Sequence, residues 1–325
     1  MMRKGIFTIS LDFELYWGVR DHRTLSGYGS NIRNVHNVIP RLLEMFEKYN
    51  IHCTWATVGF LFYENKNELV KDLPMVYPDY LKKEYDPYTY LHHNDLEPVY
   101  HFAPALIEQI RNTPGQEIGT HTFSHFYTLE KNTTDEQFKA DLEAAIKKAK
   151  ERNIEISSIV FPRNQYSPSH LEVCRNAGIK IYRGNEKSGI YSPVSRENEN
   201  ILRRAIRLAD TYINITGHHC HHLPAQADMI NVPASRFLRP YSKKLKLLEG
   251  LRFRRIRKSM EHAARNGLIY QLWWHPHNFG NNTEENFTFL EKVVKIFSRL
   301  NQEQKMESQN LYEIFTQTMK SHHEN

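Results

Sequence analysis

Seven short, mostly apolar runs, each followed by a longer stretch of helical period, constrain this chain more than any other feature. The runs are 5–14, 51–60, 117–121, 157–161, 180–183, 229–232 and 268–274. Between and after them lie amphipathic segments at 35–49, 103–111, 135–152, 169–176, 243–265, 284–300 and 308–320. Strands that alternate with helices imply a mostly parallel sheet with the helices packed outside it. About seven such units fit one barrel better than two separate sheets. The expected fold class is therefore α/β, a distorted TIM-like (β/α) barrel of about seven units with long loop insertions. Thr134 with Gln137, and Ser169 with Glu172, have the spacing of a capping box. Gly178 and Gly267 stand where helices should stop. Two stretches, 72–100 and 184–216, follow no period and are read as insertions that shape a substrate site.

A length of 325 residues with 40% hydrophobic content supplies one large core or two modest ones. No repeat or Gly/Ser linker divides the chain. The expectation is one catalytic domain over 1–325, with a core at about 5–280 and closing helices at about 284–321. No apolar window approaches the 18 residues of a membrane span, and the N-terminus lacks a signal-peptide pattern. Cys53, Cys174 and Cys220 are sparse, which suggests reduced thiols and the cytoplasm. The net charge of +6 is mild, but its basic residues gather between Arg239 and Lys258. That run is either a solvated helix face or a patch for an acidic glycan, a nucleotide-sugar or lipid phosphates, including peripheral contact with a membrane. No recognition motif accompanies it, so nucleic acid is not an expected partner.

Residues 6–15 alternate apolar and polar side chains, so Asp12 and Glu14 project from one face. Two adjacent carboxylates at the C-terminal end of a barrel strand sit where barrel enzymes keep their active sites, and they need a positive neighbour. His121 and His125 follow the third run. Four residues apart, they would share one face of a helical turn and reach one metal ion. Two histidines and one carboxylate suit catalytic zinc, and equally the facial triad of ferrous iron. His275 ends the last strand, and the alternatives there are a general acid or a buried histidine bonded to backbone. Pro276 should end that strand, leaving His277 on a freer, more exposed loop. Arg163 stands at another strand end, either at the surface or holding a carboxylate through a bidentate pair. The run His218-His219-Cys220-His221-His222 is read as a loop by the cleft or in solvent rather than as a second metal site.

Together these segments resemble the polysaccharide deacetylase family, the NodB-like domain, over residues 6 to about 278. The family's first motif usually reads T-F-D-D-G. Here Ser10-Leu11-Asp12-Phe13-Glu14 matches its D-x-E variant. The second motif, H-[ST]-x-x-H, is met in full by His121-Thr122-Phe123-Ser124-His125. Phe161-Pro162-Arg163 looks like the Arg-centred motif, and Trp274-His275 like the last one. Arg236 is the nearest candidate for the residue that tunes the acid histidine. The resemblance implies that Glu14, His121 and His125 bind one divalent ion, zinc first, with iron, cobalt, nickel or manganese as alternatives. It makes Asp12 the base, oriented by Arg163, and His275 the acid. The implied partner is an N-acylated sugar or sugar conjugate. The implied activity is removal of an N-acetyl group in glycan, O-antigen or lipopolysaccharide precursor assembly. The alternatives are a deformylase or ureide amidase on the same scaffold, or a non-catalytic glycan binder.

Overall fold

The computed structural model describes residues 3–191 and 200–320. Residues 192–199, part of the second irregular stretch, and residue 321, at the end of the expected closing helices, lie outside the described residues. The strands are β1 Gly5–Phe13, β2 Cys53–Thr57, β3 Gln116–Thr120, β4 Ser158–Val160, β5 Ile181–Gly184, β6 Ile230–Pro233, β7 Arg236–Phe237, β8 Ile269–Trp274 and β9 Met306–Ser308. Their order is β6-β5-β4-β3-β2-β1-β8-β7, and every pair is parallel. β9 pairs with the start of β1, Gly5 opposite Met306, where β2 has not yet begun.

The two edges of this sheet, β6 and β7, are separated in sequence only by Ala234 and Ser235. A two-residue link cannot span a flat sheet of eight strands, so the sheet must curl until its edges nearly meet. The link continues both ladders: Ala234 N donates to Gly184 O at 2.8 Å and Ser235 N donates to Gln271 O at 3.0 Å. The result is the distorted TIM-like barrel, with eight strands in its wall instead of about seven. β7 and β9, at two and three residues, are too short to show a period in the sequence.

Strand alternation divides β1 as expected. Phe7, Ile9, Leu11 and Phe13 join the main core beneath the helices. The other face looks inward, and its character changes with height. At the N-terminal end Ile6 packs with Ile181, Ile230, Val232 and Ile269, closed from below by Leu311 and Ile314 of the helix Leu311–Lys320. Higher up come Ser10, Arg183 and Gln271, all buried, with Ser10 Oγ hydrogen-bonded to both of the others. No helix among the described residues is long and apolar enough to cross a membrane.

Local signals succeed where chain chemistry is unambiguous. Thr134 and Gln137 form their capping box, and Gly267 ends the helix Glu249–Asn266 at φ 62°. The box expected at Ser169 forms instead at Ser167 with His170, because Pro168 takes the first helical position. The segment 243–265 divides into a 3-10 turn, Lys243–Leu248, and the helix Glu249–Asn266. Its basic run is not one solvated face: Arg252 and Arg255 are buried, Arg252 beside Glu249 and over the Phe289 ring, Arg255 bonded to Ser259. The irregular stretches hold short helices, Pro87–His93, Pro98–His101 and Ile201–Asp210.

His101 illustrates how the first insertion is fixed. Its Nδ1–H donates to Glu97 O at 2.9 Å and its Nε2 accepts from Tyr90 Oη at 3.0 Å, with Trp17 packed edge-on at 5.3 Å. Burial holds its pKa down at about 4. The unfolded chain takes up this proton near 6.5, so the stabilisation is present above that pH and is lost as pH falls towards 4. His101→Gln should therefore flatten the acid limb of the unfolding free energy by up to about 1.4 kcal/mol per pH unit. Denaturant titrations between pH 7 and 4 measure this, and an unchanged slope would contradict it.

Candidate active site

Asp12 is the penultimate residue of β1, and Glu14 lies just past its end. Leu15 turns the chain at φ 46°, and Trp17 N donates to Glu14 O at 3.1 Å. The turn folds back over its own carboxylate. A Cβ on Gly18 would lie 1.9 Å from the Glu14 carboxyl carbon, so only glycine leaves Glu14 its place.

His121 and His125 do not sit on a helical turn, as their spacing suggested. After β3 the chain runs as a loop in which Thr122 and His125 have φ of 64° and 63°. The buried carboxylate of Asp141, from the helix Asp135–Glu151, fixes this path by accepting from Phe123 N at 2.7 Å and from Ser124 N at 3.2 Å. Burial raises the Asp141 pKa to about 6 despite these bonds. Sequence reasoning missed Asp141; its only trace was an acid at a position of helical period that faces inward.

The loop brings both imidazoles to Glu14. Nε2 of His125 is 3.0 Å and Nε2 of His121 is 3.5 Å from Glu14 Oε2. One ligand atom from each of the three residues lies within 4.8 Å of the others, and all three side chains are buried. His121 Nδ1 is 2.8 Å from Val160 O. A carbonyl only accepts, so Nδ1 carries the hydrogen, and Nε2 is the ring nitrogen that faces the carboxylate. Burial opposes ionisation of Glu14, but nearby His275 and the two imidazoles outweigh it and hold the carboxyl well below its usual range. Burial keeps His125 neutral, with a pKa near 4. A buried carboxylate and two imidazole nitrogens form a donor set that fits a divalent transition metal.

Asp12 is held by Arg183, not by Arg163. Arg183 reaches across the barrel from β5, its Nη1 and Nη2 donating to Asp12 Oδ1 and Oδ2 at 2.6 and 2.8 Å. It also donates to Ser10 Oγ at 3.0 Å and to Asn164 Oδ1 at 2.9 Å. Burial pushes Asp12 up, yet Arg183 brings its pKa below the ordinary value. Arg163 lies beyond β4 at φ 55° and bonds Glu130 at 2.8 Å and Asp21 at 2.5 Å. The physical reason is direction: Arg183 is inside a strand and shares the inward face of Ile181, whereas Pro162 has already taken Arg163 out of the sheet.

His275 ends β8, with Nε2 3.7 Å from both Asp12 Oδ2 and Glu14 Oε1. Its Nδ1–H donates to Asn278 Oδ1 at 3.3 Å, so Asn278 and not Arg236 orients the ring. Arg236 pairs with Asp210 at 3.3 Å. His277 is also corrected: it is buried within the 3-10 turn Pro276–Phe279, stacked 4.9 Å from His275 and 3.8 Å from Glu14. His275 is the more open of the two, with its side chain 24% exposed, and it faces a cleft lined by Trp273, Phe237 and Arg236. In the His218–His222 run, His218 stacks on His262 and His219 bonds Thr216. Glu14, His121 and His125 are the one metal-ligand cluster found among the described residues.

The family model described as polysaccharide deacetylase matches residues 27–182, which include His121 and His125 but neither β1 nor β8. A Mycobacterium smegmatis structure described as a polysaccharide deacetylase is similar over 98% of this chain and 92% of its own, at 12% identity and a TM-score of 0.62. One from Pseudomonas aeruginosa with the same description matches over 96% and 89%, at 10% identity and a TM-score of 0.51. The Puue allantoinase matches over 96% and 88%, at 9% identity and a TM-score of 0.51. At these identities the likeness is one of fold. No curated protein matches the sequence.

Arg183→Gln should strand the Asp12 carboxylate in the barrel and cost about 3–5 kcal/mol of stability, the usual loss when one partner of a buried pair is removed. Adding Asp12→Asn should recover part of it. Arg163→Gln, at the cleft edge, should cost clearly less. Urea unfolding of these variants decides, and equal losses for the two arginines would contradict the assignment.

Proposed function

We propose, from the polysaccharide deacetylase domain at residues 27–182 and the site around it, that the chain is a metal-dependent hydrolase that removes an N-acetyl group from a sugar in glycan precursor assembly. The observation that carries this reading is the convergence of His121 Nε2 and His125 Nε2 on one Glu14 carboxylate oxygen, at 3.5 and 3.0 Å. Glu14, His121 and His125 would hold the ion. A divalent cation there supplies Lewis-acid stabilisation of the charge that develops on the amide oxygen.

The chain's own groups then divide the proton work. Asp12, kept ionised by Arg183, takes the proton of the attacking water at Oδ2, the oxygen that faces His275. Its pair with Arg183 prevents it from swinging towards the cation. His275 gives a proton from Nε2 to the leaving sugar nitrogen, while Asn278 holds the other ring nitrogen. His277, buried and pressed down to a pKa of about 3, stays neutral and supports the ring it stacks on.

Purified protein should carry about one divalent ion per chain. His121→Ala should lose it, and full occupancy in that variant would remove the assignment. Asp12→Asn should keep the metal and lose on the order of 10²-fold or more in turnover. Release of free acetate from N-acetylated sugars, compared with formate from N-formylated ones and with ureide cleavage, separates this reading from the other amide hydrolases. A metal-loaded protein that cleaves none of them would be a glycan binder.

His275 must be protonated when the amine leaves, so turnover should fall as pH rises through its titration. His275→Ala should abolish that limb, whereas His277→Ala should lower turnover and keep it. The reverse result, read from kcat against pH, would exchange their roles.

A further inference from the structure

The cleft beside His275 has a volume of about 400 Å³, within the usual range for ligand pockets. Its cationic lining is uniform: Arg163, Arg204, Arg207, Arg236 and Arg239 face it, and no lysine of the described residues does. Glu186 is the single acid in that lining, and it accepts from Trp273 Nε1 at 3.4 Å. Arg163 and Arg236 have fixed acidic partners in Asp21, Glu130 and Asp210. Arg204 and Arg239 have no carboxylate partner among the described residues; Arg239 bonds the Tyr212 hydroxyl. One wall is aromatic, with Phe237 and Trp273 at 4.8 Å and Trp273 at 5.8 Å from His275.

Arg236 is set rigidly. Buried Asp210 accepts from it, from Tyr191 Oη at 2.9 Å and from Thr216 N and Oγ1 at 2.9 Å each, while Arg255 approaches at 3.6 Å. The Nε of Arg236 has no hydrogen-bond partner among the described residues.

We propose that this cleft holds the phosphate or diphosphate that joins the reacting sugar to its carrier, with Arg204 and Arg239 on the phosphate oxygens, Arg236 fixed by Asp210 in the wall between them and the catalytic end, and the sugar against Trp273 and Phe237. The inference rests on the sugar amide hydrolase reading of the adjoining site. Guanidinium forks match phosphate oxygens in pairs, which a lysine cannot do. Several of them around one small volume suit a multiply charged group better than a single carboxylate. A neutral glycan would give Arg204 and Arg239 no carboxylate to set beside them where the described residues supply none. The phosphate can come from a nucleotide-linked or a prenyl-linked sugar, and the test separates them.

Calorimetric titration of the metal-loaded protein uses inorganic pyrophosphate, uridine diphosphate, geranyl diphosphate, glucuronate and a neutral methyl N-acetylglucosaminide. Pyrophosphate should bind. Arg204→Gln/Arg239→Gln should weaken it about tenfold or more with metal content unchanged, as expected for lost charge-assisted bonds. Arg204→Lys/Arg239→Lys, which keeps the charge and loses the fork, should fall between. Tighter binding of uridine diphosphate supports the proposal with a nucleotide carrier, and tighter binding of geranyl diphosphate supports it with a lipid carrier. Equal pyrophosphate affinity in the Gln variant places the anion on the metal and overturns the proposal. So does glucuronate binding more tightly than pyrophosphate, or failure of every phosphate to bind. Because binding is read by heat, intact pyrophosphate binding without hydrolysis of any sugar amide refutes the proposed function alone. Acetate release from neutral sugars without phosphate binding refutes the cleft alone.

Discussion

The pair of Asp12 with Arg183 is the constraint on which the rest of the site depends. Two carboxylates two residues apart on one strand face repel each other, and both are buried here. They coexist because each is neutralised differently. Asp12 takes a guanidinium from the far wall of the barrel, and Glu14 takes two imidazoles from the loop after β3. The first partner is permanently charged. The second set consists of imidazoles, and together with Glu14 it forms a donor cluster that fits a cation. One strand end thereby presents a carboxylate paired with an arginine beside one gathered among histidines. Arg183 can do this only because the sheet curls. β5 and β1 are four places apart in strand order, yet their side chains meet in the interior.

The same interior explains how stability and function are kept apart. Its lower level is apolar and closed by Leu311 and Ile314, so the N-terminal end is ordinary core. Ser10, Gln271 and the Arg183 guanidinium form a polar layer above it, and the acids and histidines occupy the rim. The parity of each strand is constant, so the change from isoleucine to serine to aspartate along one face of β1 is the gradient itself written in sequence. Gly18 and Asp141 belong to this division as well. Neither faces a substrate, but one vacates the space that Glu14 needs and the other holds the path of the His121–His125 loop.

Much of this was legible in the chain and some was not, for identifiable reasons. The alternation in β1 placed Asp12 and Glu14 together because a period of two depends only on backbone geometry. The spacing of His121 and His125 brought them together although the expected helical turn was absent. Spacing limits distance, but it does not fix the path, which here depends on left-handed residues and on an acid some 16–20 positions away. The choice between Arg163 and Arg183 turned on whether each side chain still belonged to a strand, and Pro162 was the available signal. His277 was misplaced for a related reason. Pro276 does end β8, but the chain then enters a 3-10 turn that packs Phe279 into the core and carries His277 inward. Chain breaks were readable, but whether the segment beyond each break packs into the core was not. β7 and β9 escaped because segments of two and three residues leave no periodic trace. The helix Ile201–Asp210 does have a clear helical period, but it lies inside a stretch whose other residues follow none.

The rim finally has two electrostatic regions, and their arrangement restricts what can bind. At the inner end Asp12 is paired with Arg183, which leaves Glu14, among its histidines, as the carboxylate that favours a cation. The neighbouring cleft is lined with arginine and carries the opposite sign. Trp273 stands at the boundary, its ring 4.3 Å from the Arg183 guanidinium and 5.8 Å from His275. A ligand that is neutral at one end and anionic at the other is favoured with its charged end in the arginine cleft and its neutral end towards Asp12 and His275. Orientation by the field of the cleft acts before any hydrogen bond is made. The polarity comes from the fold: β1 supplies the acids, while β7 and the segment after β5 supply the arginines, and the curl of the sheet places these two sources side by side.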